Sequence, residues 1–136
     1  MMIARRTLMV AAVVIVAAAC TPEAGSSRAV AEAFLDAHYV RIDLDASREL
    51  CAGLARSKVD KEIELTSDVE IDASTKPPRI NYRLEEARET PGYVQYAYEL
   101  SIRAPGLEPF ERLVTLTVRD QHGEWAVTNF NDSERP

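Results

Sequence analysis

Along this 136-residue chain the spacing of apolar residues changes once, near Arg79, and no other feature constrains the fold as much. Downstream of that point the period is two. Ile80, Tyr82 and Leu84 alternate with Asn81, Arg83 and Glu85. After Thr90-Pro91-Gly92, Val94, Tyr96, Tyr98, Leu100 and Ile102 alternate with Gln95, Ala97, Glu99 and Ser101. After Ala104-Pro105-Gly106 come Phe110, Val114, Leu116 and Val118, with Thr115 and Thr117 between them. After Asp120-Gln121-His122-Gly123, Trp125 and Val127 alternate with Ala126 and Thr128, and Phe130 lies near the end. Alternation sends successive side chains to opposite faces of a sheet. Four such runs joined by short turns predict an antiparallel meander, apolar on one face and mixed on the other. The apolar face then needs a cover.

The cover has to come from the residues upstream. Ser27 suits the cap of a helix starting near Arg28, with Val30, Ala33, Phe34 and Ala37 on one face and His38 near its end. Asp43 and Asp45 suit the start of a second helix from about Ala46, with Leu50, Cys51, Leu54 and Ala55 as its apolar stripe, running through Val59 and Ile63 to about Leu65. Gly53 falls inside that pattern at a cost of about 1 kcal/mol against Ala, which predicts close packing on another backbone. Between Asp60 and Asp72 the acids face only Lys61, which reads as a solvated face; Val69-Glu70-Ile71-Asp72 alternates like a short strand, and Lys76-Pro77-Pro78 stops any regular element. Helices first and strands afterwards make an α+β fold, N-terminal helices packed on a curved four-stranded antiparallel meander. The length allows one domain, placed at 28-131, with 132-136 as a C-terminal tail.

The first nineteen residues read as an export signal. Arg5 and Arg6 supply positive charge, Thr7 to Ala19 is uncharged and almost wholly apolar, and Ala17-Ala18-Ala19 precedes Cys20. The stretch is short of the roughly 20 apolar residues that cross a bilayer. Ala-Ala-Ala-Cys resembles the lipobox of bacterial lipoproteins, although the family usually has Leu where this chain has Ala17. The resemblance implies cleavage between Ala19 and Cys20, acyl chains on Cys20, a tether over 20-27, and a protein held on the cell-envelope membrane, on its periplasmic or surface side. Thr21, where inner-membrane retention would favour Asp, leans towards the outer membrane. Plain secretion by the same Ala-x-Ala rule stays open, as does a twin-arginine route through Arg5-Arg6-Thr7-Leu8-Met9. With Cys20 lipidated, Cys51 is alone and survives an oxidising compartment best if buried and inert; without lipidation a Cys20–Cys51 disulfide is open.

Composition excludes some functions. Cleavage would remove Arg5 and Arg6 from a chain that has 16 basic and 22 acidic side chains and a net charge of −6. Such an acidic chain does not suit nucleic acid, whose phosphates need a basic face. There is no Gly-x-Ser-x-Gly, no phosphate loop, no His-Glu-x-x-His and no paired CxxC. Two separated histidines make no zinc set, and Asp43-Leu44-Asp45 lacks the rest of a calcium loop, so neither metal nor cofactor is expected. His122 reads as an exposed turn residue.

The order of elements, with Trp125-Ala126-Val127 before Phe130 and with Phe34-Leu35-Asp36-Ala37 followed by Asp43-Leu44-Asp45, resembles the nuclear-transport-factor-2-like (NTF2-like, cystatin-like) superfamily. The resemblance implies helices lying in the cup of a curved sheet. It does not choose among the isomerases, dehydratases and binding modules built on that fold. The candidate pocket residues are His38, Tyr82, Tyr96, Tyr98 and Trp125. The tyrosines share the parity of Trp125, and a buried hydroxyl needs a partner; core filling is the competing reading. The leading function is a membrane-anchored lipoprotein with a non-catalytic binding or assembly domain, meeting a protein partner or a second copy through the sheet face that carries Tyr93, Ala97, Thr115 and Thr117. A carrier of a small apolar ligand in the cup is the first alternative. An isomerase- or dehydratase-like enzyme using His38 or Glu86 with a tyrosine is the second.

Overall fold

The computed structural model describes residues 22–69 and 76–135. The residues read as an export signal, Cys20 and most of the Val69–Asp72 segment lie outside them; Val69 itself is exposed and belongs to no element. No helix among the described residues is long and apolar enough to cross a membrane.

Ser26 caps α1 (Ser27–Leu35), its hydroxyl accepting from the Ala29 amide at 3.1 Å. The helix then widens into a π-helical turn, Asp36–Val40, closed by the Arg41 amide on the Asp36 carbonyl at 2.8 Å. Ile42 follows with φ of 52°, a left-handed conformation that a β-branched side chain adopts at a cost of about 1–3 kcal/mol. Asp43 caps α2 (Leu44–Glu49) through the Ala46 amide.

The stripe read as one helix from Ala46 to about Leu65 is two. α2 ends at Glu49, Cys51 forms a parallel bridge with Val127, and α3 (Gly53–Thr66) begins afresh. The Ala52 amide donates to the Val127 carbonyl and the Val127 amide to the Leu50 carbonyl, both at 2.9 Å. These tertiary bonds hold Cys51 out of the helix in which its spacing had placed it. Gly53 is also corrected: no atom comes within 4 Å of where its Cβ would be, and its φ is 57°. It serves the turn into α3, a conformation that glycine takes without strain, and not a close packing.

The sheet follows the predicted meander in the order β1 (Arg79–Thr90), β2 (Tyr93–Arg103), β3 (Phe110–Gln121) and β4 (Glu124–Glu134), all antiparallel. β4 thus runs through most of the segment read as a tail. Two bulges interrupt the alternation, one between Leu84 and Glu86 and one opposite Thr117 and Val118. An extra residue flips the side chains beyond it to the other face. Glu86, which the alternation of Ile80, Tyr82 and Leu84 carried on unbroken would put on the apolar face, therefore pairs with Ala97 on the outer face.

The core lies between α1, α3 and the inner face of β2–β4. Phe34, Leu35, Ala55, Val59, Tyr98, Leu100, Leu116, Val118 and Val127 are almost wholly removed from water. Among the described residues, no helix packs on the outer face.

Candidate functional site

Three places hold the side chains that the sequence singles out. The first is the seam between α1 and the edge of the sheet. Tyr96, Tyr98 and Tyr82 point inward from β2 and β1, and each hydroxyl meets a polar residue of the first helical segment. Tyr96 shares a hydrogen bond with Ser27 at 2.6 Å, Tyr98 donates to Glu32 at 3.1 Å, and Tyr82 donates to Asp36 at 3.1 Å. Glu32 also accepts from Arg28 at 2.7 Å and is only 17% exposed. Burial first, then the neighbouring carboxylate, pushes the Tyr98 and Tyr82 phenols well above the usual tyrosine range. These phenols stay protonated and serve as donors that fasten helix to sheet.

Neither carboxylate at this seam is among the residues singled out above, since strand parity points only to residues of the sheet and both lie on the first helical segment. The available signal was Glu32 and Asp36, four apart and flanking the Phe34 stripe, beside three inward tyrosines that needed acceptors.

The second place is the wall around His38. The π-helical turn lodges the imidazole against Phe34 (ring centroids 5.1 Å apart, stacked), Tyr39 (4.4 Å) and Phe130 (5.0 Å), with only 9% of the side chain exposed. Its Nε2 lies 2.7 Å from Glu62 of α3, and its Nδ1 is buried without a partner. Glu62 is thus the one half-buried acid in a stretch otherwise solvated at Asp60, Lys61 and Glu64. Nearby, Lys58 donates to Asn129, to the Phe130 carbonyl and to Asn131, at 2.7–3.0 Å, and lies over the Phe130 ring. Trp125 sits half-buried near the start of β4 and joins neither group. Cys51 is buried and unpaired by any described cysteine, its thiol pushed up to about 12 by burial, which makes it a poor nucleophile.

The third place is the outer sheet face. A hollow of about 280 Å³ there is lined by Glu86, Arg88, Gln95, Thr115, Thr117 and Asn129, among others. His38 lies on the helix side and Glu86 on this one, so the pair does not share a cavity. Of the candidate pocket residues only Tyr96 borders the hollow, and its hydroxyl is held on the helix side by Ser27. The cup that an apolar ligand would enter is occupied by Phe34, Leu35, Tyr98 and Leu100. His122 takes the left-handed position of the β3–β4 turn, φ 56°, and is exposed. Among the described residues, no group of three or more histidines, cysteines and acids is placed to hold a metal ion.

No family model matches the chain, and no curated protein matches it. Solved structures do. A Thiobacillus denitrificans protein assigned as a calcium/calmodulin-dependent protein kinase type II association domain superposes with a TM-score of 0.65 at 14% identity, over 85% of this chain and 100% of that one. An NTF2-like protein of unknown function from Shewanella oneidensis gives 0.56 at 12% identity, over 77% and 93%. Identities this low speak to architecture alone: the chain has the NTF2-like fold, helices followed by a curved four-stranded antiparallel sheet.

Proposed function

We propose that the protein is an envelope lipoprotein, anchored through acyl chains on Cys20, whose domain is a non-catalytic binding and assembly module that meets a second copy of itself through the outer sheet face. One observation carries this reading. The inner face of the sheet is filled and its phenols are consumed by the first helical segment, whereas no described element covers the outer face, which presents Gln95, Ala97, Thr115 and Thr117 around a shallow hollow bordered by Asn129 and Asn131, whose amides Lys58 holds from the edge. Side chains this short let two sheets approach closely, and their amides and hydroxyls pair readily across an interface with a polar rim. An isologous contact uses the same patch twice, so a single added bulk is felt twice. Association is also the role assigned to the Thiobacillus denitrificans protein that shares the fold.

Two experiments test the proposal. Sedimentation of the full chain in mild detergent is expected to give a dimer, and Thr115→Arg a monomer with an unchanged melting temperature. A wild-type monomer would overturn the assembly reading. Metabolic labelling with a palmitate analogue is expected to mark the wild type and not Cys20→Ser; equal labelling of both would overturn the anchor.

A further inference from the structure

Resting on the binding-module reading, and naming the chemistry of a second partner, the geometry points to one corner of the sheet: we propose that Lys76, Arg79 and Arg103, with Leu107 and Phe110, form a docking site for a short acidic segment of another protein that carries an apolar residue.

Of the basic side chains in the described residues, Arg28, Arg41, Arg48, Lys61, Arg83, Arg88, Arg112 and Arg135 lie in ion pairs. Lys58 is bonded to three oxygens and Arg119 rests on the Tyr93 ring. Arg56, Lys76, Arg79 and Arg103 have no such partner among the described residues. Three of these four converge at one corner of a chain whose net charge is −6.

Two of them also oppose each other. Arg79 and Arg103 are direct partners in the β1–β2 register, on the outer face. Like charges directly opposite on neighbouring strands destabilise the pair, and an acid at either position would relieve it. The same face shows that remedy a few residues away, where Arg83 meets Glu99 at 3.4 Å and Arg135 reaches Glu85 and Glu99.

The corner has apolar purchase as well. Leu107 is 66% exposed and Phe110 44% exposed, on a turn stiffened by Pro105 and Pro109. Hollows of about 390 and 410 Å³ adjoin it, both lined by Arg103: the first holds Lys76 and Arg79, the second Phe110 with Glu111 and the paired Arg135, and Leu107 stands beside them on the turn. Cations around a notch with apolar side chains match a segment of carboxylates with one Leu or Phe, attracted by charge and seated by burial. A protein segment fits better than an anionic membrane. Ser27 ties the start of α1 to Tyr96, and Arg103 lies seven residues further along β2, about 23 Å away. The tether therefore leaves from the other end of the strand, and the acidic bulk of the domain is repelled by anionic lipid.

The full chain in mild detergent is titrated into a fluorescent octapeptide of six glutamates, one leucine and one phenylalanine, at low and at physiological salt. Binding that weakens with salt is expected. Arg79→Glu and Arg103→Glu should each weaken it about tenfold or more, Phe110→Ser about threefold, and Arg56→Glu less than twofold. Arg103→Glu should at the same time raise the melting temperature by about 1–3 °C, because it relieves the opposed pair. The proposal is overturned if the peptide does not bind, if Arg56→Glu weakens binding as much as the corner variants, or if phosphatidylglycerol vesicles bind through the same residues while the peptide does not. Thr115→Arg, which tests self-assembly, lies outside the corner, so the two readings fail separately.

Discussion

The two faces of this sheet are built from the same strands and put to opposite uses. Inward, Tyr98, Leu100, Leu116 and Val118 meet Phe34, Leu35 and Val59, and the polar tips of the tyrosines find Ser27, Glu32 and Asp36. Outward, the residues one step along the strands, Gln95, Ala97, Thr115 and Thr117, meet only their neighbours on the sheet, and no described helix packs on them. The difference teaches where free energy is committed. The inner face has spent its apolar area and its hydrogen bonds on folding, so what remains for recognition lies on the outer face and at its ends. It also cautions against reading inward tyrosines as a ligand pocket: a phenol in a cup has to be paired, and a nearby helix supplies the partner more often than a ligand does.

The contrast can be broken most strongly at Phe34. It is fully buried and touches His38, Tyr39 and Phe130. Phe34→Ala should cost about 3–5 kcal/mol in urea unfolding; a loss under 1 kcal/mol would mean that the inner face is not the core. The tyrosine seam comes next. Tyr98→Phe deprives Glu32 of one donor and should cost about 1.5–3 kcal/mol at pH 7.

The seam also sets an alkaline limit. The Tyr98, Tyr82 and Tyr39 phenols are raised in the fold above the value near 10 that they hold when unfolded, chiefly by burial. Their stabilisation is complete below pH 10. Above it the unfolded chain releases protons that the fold retains, and stability falls, by about 1.4 kcal/mol per pH unit for the fully buried Tyr98 and by less for the half-buried Tyr82 and Tyr39. Urea midpoints between pH 9 and 11 should therefore drop more steeply in the wild type than in Tyr98→Phe, and parallel curves would refute the assignment. On the outer face, Thr115→Ala should move stability by less than about 0.5 kcal/mol, and a larger change would show that this face takes part in the fold. Smallest of all, Cys51 should stay unlabelled by maleimide at pH 7 until denaturant is added; prompt labelling in the native state would place it outside the core.

Much of this was legible because side-chain alternation is a local signal. Tyr98 and Leu116 declare their face within a few residues, and the turns at Pro91-Gly92 and His122-Gly123 fall where the sequence puts them. The bulges were not legible, since one inserted residue reverses parity without altering composition, and this is how Glu86 was placed on the wrong face. Nor was the break at Cys51: its spacing is helical, and what removes it from a helix is a pair of hydrogen bonds to Val127, seventy-six residues downstream in the chain. The corner at Arg103 was equally hidden, because Arg79 and Arg103 become opposed only once the β1–β2 register is set.

That bridge at Cys51 has a consequence for the last strand of the sheet as an edge. Both outward backbone groups of Val127 are taken by Leu50 and Ala52, and the Phe130 carbonyl by Lys58. A strand arriving from outside finds β4 stoppered there. An exposed edge strand is a template for unwanted pairing between chains, and the backbone groups tied up along β4 are withdrawn from that hazard.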